Sequence, residues 1–169
     1  SNALANTSTG VIQGSGTLNV SSGTLTNDGT IRPGGQSAAG TLSIAGNAVF
    51  GATSILESEL ASAALYDVLA VSGSATINSG ATLRLSELGA FGVSNGQPYT
   101  PVTYGSRSGT FTLDASFGDA YSQTYNAGSL ALTVTSNTNY RTWDAGGDGV
   151  TWQDASNWSG DVAPTASDD

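Results

Sequence analysis

The sequence predicts an all-β protein made of short stacked strands, and three observations carry that prediction. The first is a recurring unit of Gly, Thr and an aliphatic or aromatic residue. It stands at Gly16-Thr17-Leu18, Gly23-Thr24-Leu25, Gly29-Thr30-Ile31, Gly40-Thr41-Leu42 and Gly109-Thr110-Phe111, with a looser copy at Gly80-Ala81-Thr82-Leu83. The second is strict alternation of apolar and polar residues in Leu18-Asn19-Val20, Leu42-Ser43-Ile44, Ala75-Thr76-Ile77 and Leu83-Arg84-Leu85. The third is glycine density, 23 in 169 residues. A helix does not tolerate it, because each interior Gly costs about 0.8–1 kcal/mol relative to Ala. Each unit reads as a turn followed by a very short strand. Three units make a loop of about 20 residues, the size of one coil of a parallel β-solenoid, with coils stacked about 4.8 Å apart.

Along the chain, residues 1–3 (Ser1-Asn2-Ala3) read as an expression-tag remnant and stand outside the fold. With no initiator Met after them, the sequence reads as a piece of a longer protein, any signal peptide or anchor lying elsewhere. Residues 4–88 are expected to form the solenoid coils. Within them, Thr53 to Leu60 places Ile55, Glu57 and Glu59 on one face and Leu56, Ser58 and Leu60 on the other. Burying two unpaired carboxylates is costly, so the leucine face must point inward. Residues 61–67 are an excursion from the coil.

From residue 89 the texture changes. Residues 89–98 are loop-like, and strands richer in aromatics follow at 99–104, 110–113, 121–125 and 129–135, separated by turn residues. A solenoid end exposes unpaired strand edges that natural proteins cover. Residues 89–135 are therefore expected to be an antiparallel cap at the C-terminal end. Residues 136–142 form a polar linker. Residues 143–169 hold all three tryptophans and, with Asp144 first, six of the thirteen acids, and read as the start of a next unit.

Composition excludes most familiar chemistries. Charged residues are 10% and hydrophobics 38%, against about a quarter and 45–50% in ordinary globular chains. The chain has no Cys, His or Met, and its four cations are Arg32, Arg84, Arg107 and Arg141. Without Cys or His there is no Ser-His-Asp or Cys-His nucleophile system and no ordinary zinc site. A net charge of -9 without a lysine argues against nucleic acid and anionic membrane surfaces. No apolar run approaches the 18 or so residues a spanning helix needs, so this segment is not expected to insert into a membrane. Hard cations and neutral glycans remain as partners.

Taken in order, several runs resemble bacterial autotransporter-type passenger segments with β-strand repeats. They are Ile31-Arg32-Pro33-Gly34-Gly35, the stretch from Gly40-Thr41-Leu42 to Asn47, Tyr66-Asp67-Val68-Leu69-Ala70-Val71-Ser72-Gly73 and Gly109-Thr110-Phe111. Trp143, Gly146-Gly147-Asp148-Gly149, Trp152, Asn157-Trp158 and Pro164 resemble the opening of the next unit in such arrays. The resemblance covers about residues 14–169. It implies a right-handed parallel β-helix that is extracellular or on the bacterial cell surface, of adhesin-like or structural type, and implies no catalytic residues. The second unit breaks off at Asp169, before its own strands, leaving edges through which another copy could pair.

Four groups are candidate sites. Glu57 and Glu59 share a strand face roughly 7 Å apart, a separation that overlaps glycosidase carboxylate pairs, although such enzymes need the pair to flank a sugar across a cleft. The plainer reading is a solvated face. Asp144, Asp148 and Asp154 surround glycines as in a calcium loop, but depart from the EF-hand pattern at positions three and twelve, and an acidic turn explains them as well. Trp143, Trp152 and Trp158 could stack on glycan rings, while their spacings favour packing of the next unit. Arg32, Arg84 and Arg107 could neutralise a uronate in a lyase, or simply pair with nearby carboxylates. The expected function is a non-enzymatic structural or adhesive segment without a cofactor, calcium excepted, that meets glycans or a host or neighbouring cell surface. The alternatives are a carbohydrate-binding module using the Trp-rich tail and a fragment of a polysaccharide-degrading enzyme.

Overall fold

A computed structural model of the chain describes residues 3–88, 93–115, 119–136, 143, 145–158 and 163. Twelve strands follow in order: β1 (Leu4–Asn6), β2 (Val11–Gly14), β3 (Gly16–Asn27), β4 (Thr30–Pro33), β5 (Thr41–Phe50), β6 (Ile55–Leu60), β7 (Val68–Ile77), β8 (Thr82–Glu87), β9 (Pro98–Ser108), β10 (Thr112–Ala115), β11 (Ala120–Tyr125) and β12 (Ser129–Ser136). A single 3-10 turn, Ala155–Asn157, follows them. The protein is all-β, with no α-helix among the described residues and thus none long and apolar enough to cross a membrane.

The strands form two sheets, one ordered β1-β3-β5-β7-β9-β12-β11 and the other β10-β8-β6-β4-β2. Up to β10 the chain alternates between them, and each strand pairs in parallel with the strand two places on. The alternation read from the sequence is what fills the space inside. On the five-stranded sheet, Ile12, Ile31, Leu56, Leu83 and Leu113 stand in one register row. On the seven-stranded sheet, Leu42, Leu69 and Val102 make another. Ile31, Leu56, Leu83, Leu69 and Val102 are fully buried. The leucine face of β6 points inward as expected, with Leu56, Ser58 and Leu60 buried.

Two expectations are corrected. The units at Gly16-Thr17-Leu18 and Gly23-Thr24-Leu25 are not two turns with two strands; both lie on the 12-residue β3. The chain turns its corner inside that strand, where the pairing with β5 is irregular between Asn19 and Thr24. Ser21 adopts φ 51° there, and its N–H donates to the Asn19 side chain at 2.8 Å. Gly46 of β5 sits against this corner at φ 139°, where a Cβ would run into Val20 and the Ser21 carbonyl.

The second correction concerns the antiparallel cap. β9 does pair antiparallel with β12, and β12 with β11. Along its other edge, however, β9 continues the parallel series by pairing with β7, and β10 does the same with β8. The parallel layer therefore runs through residue 115, and only β11 and β12 are wholly antiparallel. The reason is that a strand has two edges: β9 repeats the inward residues of β7, placing Val102 and Tyr104 beside Leu69 and Val71, and still offers a free edge to β12. Leu130, Leu132 and Val134 of β12 are buried in the same core.

Candidate functional site

The outward face of the five-stranded sheet gathers the charges. Parallel pairing sets Glu57 of β6 beside Arg84 of β8, and Arg84 beside Asp114 of β10. Arg32 of β4 reaches Glu57 from the other side, so a row of alternating sign, Arg32–Glu57–Arg84–Asp114, crosses four strands. The Arg32 Nε donates to Glu57 Oε2, Arg84 Nη1 lies 3.4 Å from Glu57 Oε1, and Arg84 Nε lies 2.9 Å from Asp114 Oδ2. The Glu57 hydrogen bond holds Arg32 above its ordinary pKa, and the Asp114 bond does the same for Arg84. Arg107 stands apart: it donates to the Gly109 carbonyl, with its guanidinium 4.3 Å over the Tyr125 ring. Arg141 lies outside the described residues.

Glu59, two residues beyond Glu57, has different partners. Its carboxylate accepts the N–H groups of Ser37 and Ala38, each at 3.0 Å, and so ties the 34–40 loop to the end of β6. The two glutamates are therefore not a solvated pair. One is bound to guanidinium groups and the other to backbone amides.

Beside Glu59 lies a residue that local sequence reading passed over. Asp67, at the end of the 61–67 excursion, is only 1% exposed. Its Oδ1 accepts the Gly40 N–H at 2.8 Å and its Oδ2 the Glu59 N–H at 3.0 Å. Burial pushes its carboxyl up to about 7, against the downward pull of these two donors and with a further push from the Glu59 charge. The one hint in the sequence is an acid immediately before the apolar run Val68-Leu69. Its partner Gly40 lies 27 residues earlier and is invisible to any local pattern.

In the tail, Asp144 lies outside the described residues. The carboxylate of Asp148 accepts the N–H groups of Val150 (2.9 Å) and Thr151 (2.8 Å), the Thr151 hydroxyl, and the Asn157 amide (2.7 Å). These donors hold it well below the ordinary carboxylate range, the Thr151 hydroxyl foremost. Asp154 caps the 3-10 turn through Ser156 N–H and accepts the Asp148 N–H at 3.1 Å. Asp148 and Asp154 are thus joined through amides. Among the described residues no group of three or more His, Cys, Asp or Glu is placed to hold a metal ion.

The three indoles do come together. Trp158 meets Trp143 at 5.1 Å and Trp152 at 4.4 Å between ring centroids, both edge to face. The Trp158 indole N–H donates to the Trp152 carbonyl at 2.9 Å, and Trp158 is 6% exposed whereas Trp152 is 57% exposed. Buried Asn157 ties the segment by accepting the N–H groups of Gly147 and Gly149 and donating to Thr151. The arrangement is a compact knot around Trp158 and does not form a coplanar platform.

No protein-family profile matches this chain, and no curated protein is significantly similar to it in sequence.

Proposed function

We propose that this chain is a parallel β-solenoid segment of a large bacterial cell-surface or secreted protein, acting as a non-enzymatic stalk, spacer or adhesive surface. The observation that carries the reading is the strand plan: the ten strands β1 to β10 alternate between two sheets, and each of the first eight is bonded in parallel to the strand two places on. A chain that advances one strand spacing per circuit is a coil, and parallel crossovers are almost always right-handed. The β12–β11 hairpin is the antiparallel cap of that coil. Such a stack is stiff along its axis, because each circuit hydrogen-bonds to the next, while its outward face and loops stay available for contact. The resemblance to autotransporter-type passenger segments, carried by Ile31 to Asn47 and Tyr66 to Gly73, favours the same reading. The outward carboxylates and arginines favour it over a polysaccharide-degrading enzyme, since Glu57 is engaged by Arg32 and Arg84 and Glu59 by a loop.

Pulling the protein by its two ends in a force spectrometer tests the proposal. A solenoid spacer lengthens in successive steps of one coil, about 27 residues where Gly40 and Asp67 set the repeat. One all-or-none extension of the whole chain at low force refutes it.

One observation favours a second reading for the tail. Trp152 keeps an exposed indole on an ordered knot, a surface suited to the apolar face of a neutral glycan. Tryptophan fluorescence titrated with soluble polysaccharides decides it: a saturable change that is lost in Trp152→Ala supports binding, and an unchanged spectrum across the panel removes it.

A further inference from the structure

We propose that the end of the core beneath the antiparallel hairpin is a calcium site, formed by Glu87, Asp119 and the Tyr99 hydroxyl, that clamps the two sheets together there.

The fold brings these groups to one place from both sheets. On β8 the inward positions run Leu83, Leu85, Glu87, in register with buried Leu56, Ser58 and Leu60 of β6. A carboxylate thus takes the place that Leu60 fills on the neighbouring strand, and its Oε1 is closed off from solvent. From the seven-stranded sheet comes Tyr99 of β9, 1% exposed and paired with buried Leu132 of β12. Tyr66 links the two sides: it bridges Leu60, its ring meets Tyr99 edge to face at 5.2 Å, and its hydroxyl accepts the Thr100 N–H at 3.3 Å. On the other edge of β12, Tyr121 of β11 lies beside buried Val134. Asp119, two residues before Tyr121, is 4% exposed, and its Oδ2 is closed off from solvent as well.

Two acids at the end of a core do not by themselves make a site. The pointer to a ligand is Tyr99: its hydroxyl is closed off from solvent and has no hydrogen-bond partner among the described residues. An unbonded hydroxyl in a closed interior is costly. Burial foremost, then the Glu87 charge, the Tyr66 phenol and the Asp119 charge, push the Tyr99 phenol up to about 12. The phenol therefore keeps its proton and offers a neutral oxygen near both carboxylates.

Two carboxylates and a neutral oxygen are a hard, all-oxygen set, which suits calcium or magnesium. Calcium is the better match, because magnesium gives up its waters reluctantly and these oxygens are shut away from water. With both carboxylates bidentate, the three side chains supply about five of the about 6–8 oxygens calcium takes, leaving the rest to backbone carbonyls or water. The consequence is mechanical. Glu87 belongs to the five-stranded sheet, Tyr99 to the strand where the parallel series meets the hairpin, and Asp119 to the approach to β11. A cation held by all three fixes the hairpin to the core.

Calorimetric titration of the chelator-treated whole chain with calcium chloride and with magnesium chloride, read together with the thermal midpoint, tests the proposal. One saturable calcium site is expected, with a rise in the midpoint and at least tenfold weaker binding of magnesium. Asp119→Asn and Glu87→Gln should each weaken calcium at least tenfold, whereas Asp148→Asn in the tail should leave it unchanged. If the two acid variants do not fold, Tyr99→Phe decides, since it keeps the ring and removes only the unbonded hydroxyl. Its calcium-free form should melt no lower than the parent chain, and calcium should bind it several-fold more weakly. No heat and no midpoint shift at about 10 mM calcium, above the ~1 mM of the weakest calcium modules, overturns the proposal. So does calcium binding that Asp148→Asn abolishes, that magnesium matches, or that Tyr99→Phe leaves at full strength.

Discussion

Replacing Glu57 by glutamine tests whether the charge row on the five-stranded sheet holds neighbouring strands together. The side chain keeps its shape and leaves the core untouched, because Glu57 points outward between buried Leu56 and Ser58. What changes is its charge. Two arginines bond it, and its side chain is only 19% exposed, against 29% and 41% for Arg32 and Arg84. An exposed ion pair is worth about 0.2–1 kcal/mol, and partial shielding places these toward the upper end. Glutamine can still accept one hydrogen bond, but Arg32 and Arg84 then face each other two strand spacings apart, about 9.6 Å, with nothing of opposite sign between them. The expected loss is about 1–2 kcal/mol. With a urea slope of about 2 kcal/mol per molar, the unfolding midpoint falls by about 0.5–1 M. In 1 M NaCl the Debye length shrinks to about 3 Å and the difference should drop to less than half. A double-mutant cycle with Arg84→Met should return a coupling of about 0.5 kcal/mol or more. An unchanged midpoint at low salt, or an equal loss at both salt concentrations, refutes the reasoning.

Other outcomes are expected from the same structure. Leu56→Ala, in the middle of the fully buried row between Ile31 and Leu83, should cost about 2–5 kcal/mol in urea unfolding. Gly34→Ala should destabilise more than Gly96→Ala: both glycines have positive φ, but a Cβ at Gly34 meets the Ala38 carbonyl and the Gly40 amide, whereas Gly96 faces open space. Thermal melts of the two variants compare the steric clash with backbone strain alone, which is about 1–2 kcal/mol. Trp158→Ala should expose Trp143 and Trp152 and red-shift the fluorescence, while Trp152→Ala should leave the remaining emission blue, since Trp158 carries the hydrogen bond and the burial.

The sequence by itself determined which side of each strand faces inward. Side chains alternate with a period of two, so Leu56 and Leu60 could only be buried if Glu57 and Glu59 were not, and that inference needs no knowledge of neighbouring strands. It also determined that glycine and threonine, spaced as they are, make strands and corners in place of helices. The tertiary structure decided what stands beside each residue. The partners in the charge row lie 25, 27 and 30 residues apart, because the stretches of chain between successive strands of the five-stranded sheet differ in length, and no fixed repeat in the sequence announces those offsets. For the same reason Asp67 reads locally as one more loop acid, and its burial against Gly40 exists only once β5 and β7 are paired. β9 likewise reads as the start of an antiparallel cap from its aromatics alone. Its parallel bond to β7 was settled by register, since a strand's second edge pairs with whatever edge the preceding strand of the sheet leaves open.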